Sequence, residues 1–428
     1  MRTTIIAVTI LVPAAASAGG YFIPNASPRS LGLSQSEVAN EQGADALFLN
    51  TAALAGLDGL EISGAGELLF NQTSWSEDTL GSASLKSHVS TPATLAVSYG
   101  GHLGNGMGWG VGVGFGVPGG GSLPWPKGWA GQEQIQSVTQ QVFAIGAGAA
   151  IQPLPYLKLG ASFLRTQVVE ELHQSINYLD HYGDAGLAMS GGGNGFGLGL
   201  EVRVPNVPLS FGVGYVHSVD VTLEGNAHFT QVPQTFQTLL HDQDVTEDLT
   251  IPNASIVGAA YEVIPSLTVM GAVTWENWSV YKDDTFNGNG GFTVKVPRDY
   301  KDAYVFRLSG EYQHTPFLPG LTLRAGMLRS VSDQPKNTVS PSLSDGNSWA
   351  VTVGAGYNVT QELRLDFGAQ FALFDKVTAQ PDSEAFPGSY NTKVAIFSFG
   401  ASWRTDFGMS KGAQVASQPA ATQTASAK

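Results

Sequence analysis

Apolar residues alternate with small or polar residues along most of the chain, from about residue 58 onward. The clearest example is the stretch 107–117, in which Met, Trp, Val or Phe occupies every odd position and glycine every even position. A helix would spread such residues around its circumference, whereas a strand places them on one face. The pattern therefore predicts strands with one apolar face, and it argues against a dinucleotide-binding glycine loop.

The connections between these segments alternate in length. Fourteen alternating segments can be counted, joined by six short and seven long links. The long links include 118–134, 172–193 and 223–250. An even number of strands, with short turns at one end and long loops at the other, is typical of bacterial outer-membrane barrels. Only 13% of the residues are charged and 53 are glycine, which also suits such a barrel.

The predicted fold class is all-β, a fourteen-stranded antiparallel transmembrane β-barrel formed by residues 59–407, with an N-terminal plug (hatch) inside the lumen. Residues 19–58 lack the strand pattern, and their apolar content argues against a disordered arm. The interior of a closed barrel is the natural place for such a segment. We therefore expect residues 19–58 to form the hatch.

The two ends of the chain carry other signals. Met1-Arg2, an apolar stretch over 5–13 and the sequence Ala16-Ser17-Ala18 predict a signal peptide, residues 1–18, cleaved before Gly19. The expected location is therefore the bacterial outer membrane. Residues 408–428, rich in Ala, Ser and Gln, are predicted to be a disordered tail.

Composition and motifs exclude several classes of function. The formal net charge of −14 disfavours nucleic acid as a partner, and the lack of cysteine excludes thiolate metal sites. Neither a G-x-S-x-G nor an H-E-x-x-H motif is present, and the eight histidines are scattered. We expect no enzyme activity, no cofactor and no metal. A general diffusion porin remains the alternative, although a porin would need an open, charged lumen without an N-terminal plug.

Five segments carry a resemblance to a known family: Gly20-Tyr21-Phe22, 50–54, 275–279, 300–308 and 323–326. Together they resemble the FadL family of outer-membrane transporters for long-chain fatty acids, which includes TodX-type aromatic hydrocarbon channels. The resemblance covers residues 19 to about 407, and Thr51 stands where the family has a proline.

The resemblance implies a passive route for hydrophobic molecules, fatty acids or hydrocarbons. A groove between two long loops would capture the ligand, and hatch movement would release it sideways into outer-membrane lipid, past the lipopolysaccharide, beside a kinked third strand. We expect the protein to be a monomer. The loops 172–193 and 223–250 carry apolar residues at spacings compatible with short helices, although the two loops could equally pack a small core of their own. The expected contacts there are Leu172, Ile176, Phe236, Leu239 and Leu240.

Two further sets of residues follow from the implied mechanism. Fatty-acid transport requires a cation for the carboxylate, and Arg165, Arg307 and Arg324 are the candidates unless they pair with Glu311 or Asp366. The third strand is easy to bend because glycine lines its inner face and Pro118 follows. The expected hatch and lateral gate residues are Phe22, Asn50, Thr51, Ala52, Gly110, Gly112, Gly114 and Gly116.

Overall fold

The structure is a computed structural model, and it describes residues 27–104, 106–238, 240–291, 293–313, 315, 318–332, 334–380 and 386–405. The predicted signal peptide, Phe22, Leu239 and the predicted tail lie outside these ranges. None of the helices in the described ranges is long and apolar enough to span a membrane.

The described strands form one antiparallel sheet. Their bounds are β1 (Gly59–Glu77), β2 (Gly81–Ser84), β3 (Val89–Ser90), β4 (Ala93–His102), β5 (Gly108–Ser122), β6 (Ser137–Leu154), β7 (Leu157–Asn177), β8 (Tyr182–Arg203), β9 (Leu209–Val216), β10 (Val219–Phe229), β11 (Gln243–Ile251), β12 (Ala254–Ile264), β13 (Leu267–Glu276), β14 (Asp283–Gly288), β15 (Thr293–Pro297), β16 (Ala303–Tyr312), β17 (Leu321–Val331), β18 (Ser348–Asn358), β19 (Leu363–Phe374), β20 (Val377–Thr378) and β21 (Ser389–Thr405).

The sheet closes into a barrel because β1 pairs with β21 from Leu60↔Thr405 to Ser76↔Ser389. Three spanning strands are interrupted: β3 with β4, β9 with β10, and β11 with β12 form the second, seventh and eighth. The remaining spanning strands are β1, β5 to β8, β13, β16 to β19 and β21, so the barrel has fourteen strands and the predicted fold class is confirmed. We call the end with the short connections the turn end and the other the loop end.

Side-chain burial follows the period of two. In β5, Val111 and Val113 are 45% and 55% exposed on the outside of the barrel, whereas Gly110 and Gly112 are buried on the inside. Alternation of this kind is what a lipid-facing strand requires, since every second side chain meets hydrocarbon.

The hatch lies inside the barrel and consists of short helices joined by turns. They are α1 (Pro28–Gly32), α2 (Ala46–Leu49) and the 3₁₀ segments Glu37–Ala39 and Thr51–Gly56. A further 3₁₀ segment, Trp278–Val280, follows β13. Asn50 caps the segment after it, since its side-chain oxygen accepts from the Ala52 amide at 3.2 Å.

The loop end differs from the sequence-based expectation, because the two supposed loops are mainly strand. Residues 172–177 extend β7, and residues 182–193 belong to β8. The prediction of short helices there is wrong, because β7 and β8 stay paired along these residues. Leu172 and Ile176 of β7 form a buried core with Leu240 of the connection after β10, and Phe236 packs against it. The alternative, in which these segments pack a core of their own, agrees with the structure.

This core fills the loop end of the barrel. Trp125 and Trp129 stack at 4.4 Å between ring centroids, and Trp75 meets Trp129 edge-on at 5.5 Å. Both Trp75 and Trp125 are at most 2% exposed. The described part of the loop end is therefore closed by packed aromatic side chains.

Candidate functional site

An apolar cavity of about 240 Å³ lies in the lumen against the hatch, and we call it the lumenal cavity. Its floor includes Leu47, Phe48 and Leu49 of the hatch, and its walls come from β4 to β13 and from β16. An engineered apolar cavity of about 150 Å³ holds benzene, so the lumenal cavity has room for a ligand of one aromatic ring or a short run of hydrocarbon chain.

The wall beside this cavity is interrupted at the third spanning strand. The ladder between β4 and β5 ends at Leu95↔Phe115, although β5 continues to Ser122. On its other side, β5 shifts register between Gly116 and Gly119, around Val117 and Pro118. Among the described residues, β5 thus has no ladder partner on the β4 side over 116–122. We call this stretch the third-strand gap, and its residues 116–119 line the lumenal cavity.

The inner-face glycines of β5 make room for the hatch. A Cβ at Gly112 would lie 3.4 Å from the methyl groups of Leu54, and one at Gly114 would lie 3.1 Å from the Phe48 ring. A Cβ at Gly110 would collide with the carbonyl oxygen of Leu54. These glycines therefore let the hatch backbone and its Phe48 ring approach the strand directly.

Asn50, Thr51 and Ala52 were expected beside the third strand. This placement is wrong for Asn50 and Ala52, whereas Thr51 lines the lumenal cavity together with residues 116–119. The Asn50 side chain donates to the carbonyl oxygens of Val38 at 2.6 Å and Leu200 at 3.1 Å. The Thr51 hydroxyl donates to Ser162 Oγ at 3.3 Å. All three residues pack on β7 and β8, because glycines on those strands leave space for the hatch backbone there.

Arg307 is the predicted arginine that lies at the lumenal cavity. Its guanidinium donates to Thr274 Oγ1 and, at 3.4 Å, to the side-chain oxygen of Gln35. It forms no salt bridge within the described ranges, where the salt bridges involve other cations. The nearby Glu276 accepts from Trp278 Nε1 at 2.9 Å. The direct hydrogen bonds of Arg307 thus all go to neutral oxygens, and the Glu276 carboxylate lines the same cavity without pairing with it.

Arg324 has a different environment, because its guanidinium pairs with two carboxylates. It pairs with Glu311 at 2.8 Å and with Asp366 at 2.6 Å, and its side chain is 1% exposed. Glu311 also pairs with Arg29 of the hatch at 3.2 Å. The expectation that Arg324 receives a ligand carboxylate is wrong in this structure, because its Nε and Nη1 already pair with carboxylates. Glu311, shared by Arg324 and Arg29, ties α1 to the barrel wall.

Neighbouring carboxylates and burial shift the pKa of Arg29 in opposite directions. Burial by itself would lower the pKa of its guanidinium, but Glu311 and Glu41 raise that pKa above its usual value. Arg29 therefore stays charged, and its pairs with Glu311 and Glu41 fix this part of the hatch.

Arg165 also departs from its expected place. It lies on the outer face of β7, exposed, and donates to Asn194 Oδ1 at 3.3 Å. Its position follows from the period of two, because Phe163 on the same face is 55% exposed. Arg165 cannot reach a ligand in the lumenal cavity from there.

A second, larger cavity of about 630 Å³ opens at the turn end, and we call it the turn-end cavity. Its lining includes Arg364 and Arg404, which pair with Asp366 at 2.8 Å and Glu61 at 2.5 Å. Charged groups of this density favour water over hydrocarbon. The turn-end cavity is therefore a poor site for an apolar molecule. Within the described ranges, no cluster of acidic or histidine side chains could hold a metal ion.

A closed fourteen-stranded barrel with an internal hatch and an apolar lumenal cavity defines a transport protein of the outer membrane. The family model for outer membrane transport proteins of the OMPP1/FadL/TodX type matches residues 9–407. The chain belongs to this family, which confirms the resemblance and the predicted location in the outer membrane. The family is one of transport channels rather than enzymes.

Solved structures with this fold are similar to the chain at low sequence identity. A FadL homologue from Pseudomonas aeruginosa superimposes with a TM-score of 0.81 at 16% identity, covering 90% of this chain and 99% of that one. The Ralstonia pickettii toluene transporter TbuX gives 0.68 at 18%, covering 88% and 98%. The Pseudomonas putida toluene transporter TodX gives 0.68 at 17%, covering 91% and 99%. No curated protein sequence matches the chain.

The sequence interpretation missed two contributors to the site. Phe48 and Gln35 line the lumenal cavity, yet neither was selected. Phe48 could have been noticed because it is the one aromatic residue among residues 27–58 of the hatch. Gln35 carries no such signal, because it reaches Arg307 from a left-handed backbone turn with φ of +58°.

Proposed function

We propose that the protein transports hydrophobic molecules passively, holding them in the lumenal cavity and releasing them sideways through the third-strand gap. The observation that supports this most is the shared lining: residues 116–119 belong both to the cavity and to the unpaired edge of β5. A hydrocarbon chain gains about 0.8 kcal/mol per buried CH₂, which an exit into water would forfeit. Sideways release into outer-membrane lipid keeps the chain in an apolar setting. One chain supplies both barrel and hatch, and we propose that the transporter acts as a monomer.

Long-chain fatty acids are the proposed substrate, and neutral aromatic hydrocarbons are weaker ligands of the same cavity. Arg307 supports the choice, because it is a cation at a largely apolar cavity and its direct hydrogen bonds go to neutral acceptors. A carboxylate there would replace the long contact with Gln35 by an ion pair with a hydrogen bond between two charged groups, which is shorter and stronger.

Uptake by cells that lack their own transporter tests this proposal. Cells that express the protein should accumulate a labelled long-chain fatty acid faster than cells with the empty vector. Equal accumulation of the fatty acid, with the protein folded in the outer membrane, would contradict the proposal. If only an aromatic hydrocarbon were taken up, the lateral route would still hold, but recognition of a carboxylate would not be part of the function.

Conductance across a planar bilayer tests the alternative of a general diffusion porin. The intact protein should conduct ions poorly, because the hatch and the aromatic core fill the lumen. Deletion of residues 19–58 should raise the conductance. A large, steady conductance from the intact protein would instead favour a porin for small polar solutes.

A further inference from the structure

The barrel wall has a second interruption, between β8 and the seventh spanning strand. The ladder with β9 ends at Gly197↔Val216, and the ladder with β10 begins at Ser190↔Glu224. No ladder pair joins residues 191–196 to residues 217–223 within the described ranges. We call these two facing stretches the Val219 seam.

Packing of backbone and side chains closes the seam in place of a strand ladder, with one backbone hydrogen bond from the His217 amide to the Phe196 carbonyl oxygen at 2.9 Å. Val219 is 3% exposed, and its methyl groups lie against two glycines on the inner face of β8. A Cβ at Gly193 would lie 2.5 Å from Val219 Cγ1, and one at Gly195 would lie 2.8 Å from Cγ2. The backbone carbonyls of Thr222 and Asp220 also pack directly on Gly191 and Gly193. Opening the seam therefore breaks few backbone hydrogen bonds, and it requires movement of Val219 together with the backbone around it.

The lumenal cavity lies directly behind the seam. Val219 lines it, together with His217 and, from the eighth spanning strand, Pro252. Pro252 falls where that strand is itself interrupted, between β11 and β12. Leu198, which also lines the cavity, is 50% exposed on the outside of the barrel. The cavity thus reaches the wall at a place four spanning strands away from the third-strand gap.

The outer side of the seam carries a cation and an aromatic group. The guanidinium of Arg165 covers the outer face of β8, since a Cβ at Gly192 would lie 2.7 Å from its Nη2 atom. Arg165 forms no salt bridge with any described residue; the ion pairs of β7 and β8 use Lys158 and Arg203. Phe196 stacks on His217 at 4.5 Å, and the Tyr215 hydroxyl lies 2.7 Å from His217 Nδ1. Amphipathic rings of this kind suit the membrane interface.

We propose that the Val219 seam is a second lateral port, through which a single-chain amphiphile with an anionic head passes between the outer leaflet and the lumenal cavity. The head binds Arg165 on the outer wall, and the hydrocarbon chain enters where Val219 moves aside. This port rests on the proposed transport of hydrophobic molecules. It gives a role to Arg165, which cannot reach a ligand inside the lumenal cavity. A free fatty acid and the phosphate head of lipopolysaccharide offer Arg165 the same anionic chemistry.

A disulfide across the seam tests the port, because the natural chain has no cysteine. The variant Gly195→Cys/Val219→Cys is reconstituted in vesicles, with its cysteine pair either oxidised or reduced. Each form is then loaded with a fluorescent long-chain fatty acid. Oxidation should slow loading, and reduction should restore it. Each single cysteine variant is the control, and Val219→Ala, which loosens the seam without a crosslink, should load faster than the natural protein. Heat-modifiable gel migration reports folding.

Arg165→Gln tests the binding of the head group. Loss of one charge-assisted contact should raise the half-saturating fatty-acid concentration roughly tenfold. If Arg165→Gln instead loses co-purified lipopolysaccharide while fatty-acid loading is unchanged, Arg165 binds the lipid head alone and the port is wrong. Equal loading of oxidised and reduced protein, with Val219→Ala unchanged, also overturns the port and leaves the proposed function intact. Failure of the natural protein to load at all would refute the proposed function itself.

Discussion

Replacement of Arg307 by methionine separates recognition of a carboxylate from recognition of a hydrocarbon chain. Methionine retains much of the length of the side chain and removes the charge at the lumenal cavity. In the natural protein the guanidinium is held by Thr274 Oγ1 and by Gln35 at 3.4 Å, so its donors are available to a ligand at little cost.

The expected loss follows from the strength of that contact. A hydrogen bond to a charged group contributes about 1.5–3 kcal/mol, and each 1.4 kcal/mol is a factor of ten in affinity. Arg307→Met should therefore bind a long-chain fatty acid roughly 10- to 100-fold more weakly. The alcohol of the same chain length has no carboxylate, so its affinity should change little.

Calorimetric titration of purified protein in detergent measures both ligands. Arg307→Lys keeps the charge and should recover part of the fatty-acid affinity. The matched control is Arg329→Met, because Arg329 pairs with Asp375 at 3.0 Å and stacks over Trp349, away from the cavity. Equal loss of affinity for acid and alcohol, or no loss for the acid, would refute the carboxylate assignment.

Three further changes test the hatch and the third-strand gap. Burial raises the pKa of Glu37 above its usual value, although Arg29 and Ser30 act to lower it. The docked hatch therefore binds this proton more tightly than the free segment, and it loses stability as the pH rises from the usual carboxyl pKa through the raised one. Glu37→Gln should reduce the pH dependence of hydrogen exchange in the hatch. Gly110→Ala should displace the hatch at Leu54 and raise conductance, whereas Gly271→Ala, whose Cβ would lie 3.6 Å from its nearest neighbour, should not. Gly116→Trp should fill the lumenal cavity beside Phe48 and slow fatty-acid uptake, and normal uptake by the folded variant would place the exit elsewhere.

Much of the barrel could be predicted from the sequence because its signal is local. The period of two in β5 fixes which residues meet lipid, and the same parity places Arg165 outside and Arg307 inside. Strand length at the loop end was harder to predict. Residues 172–177 alternate more weakly and carry polar groups, so extension of β7 beyond the membrane depends on pairing with β8.

Contacts between the hatch and the wall could not be predicted from the sequence. Asn50 faces β8 instead of β5 because its amide bridges Val38 and Leu200, residues far apart in the chain. The two interruptions of the wall also differ in how far the sequence predicts them. Glycine and Pro118 give a local signal at the third-strand gap, whereas the Val219 seam arises from a change of partner along β8.

Photo-crosslinking tests the central claim most directly, namely that a hydrophobic ligand occupies the lumenal cavity and leaves beside β5. A long-chain fatty acid with a photoreactive group near its methyl end is bound to the natural protein, irradiated and mapped by mass spectrometry. The predicted crosslinks lie on Phe48, Val117 and Val142, which line the lumenal cavity. Crosslinks confined to Arg364 and Arg404 of the turn-end cavity would contradict the account, because the ligand would then follow the polar route.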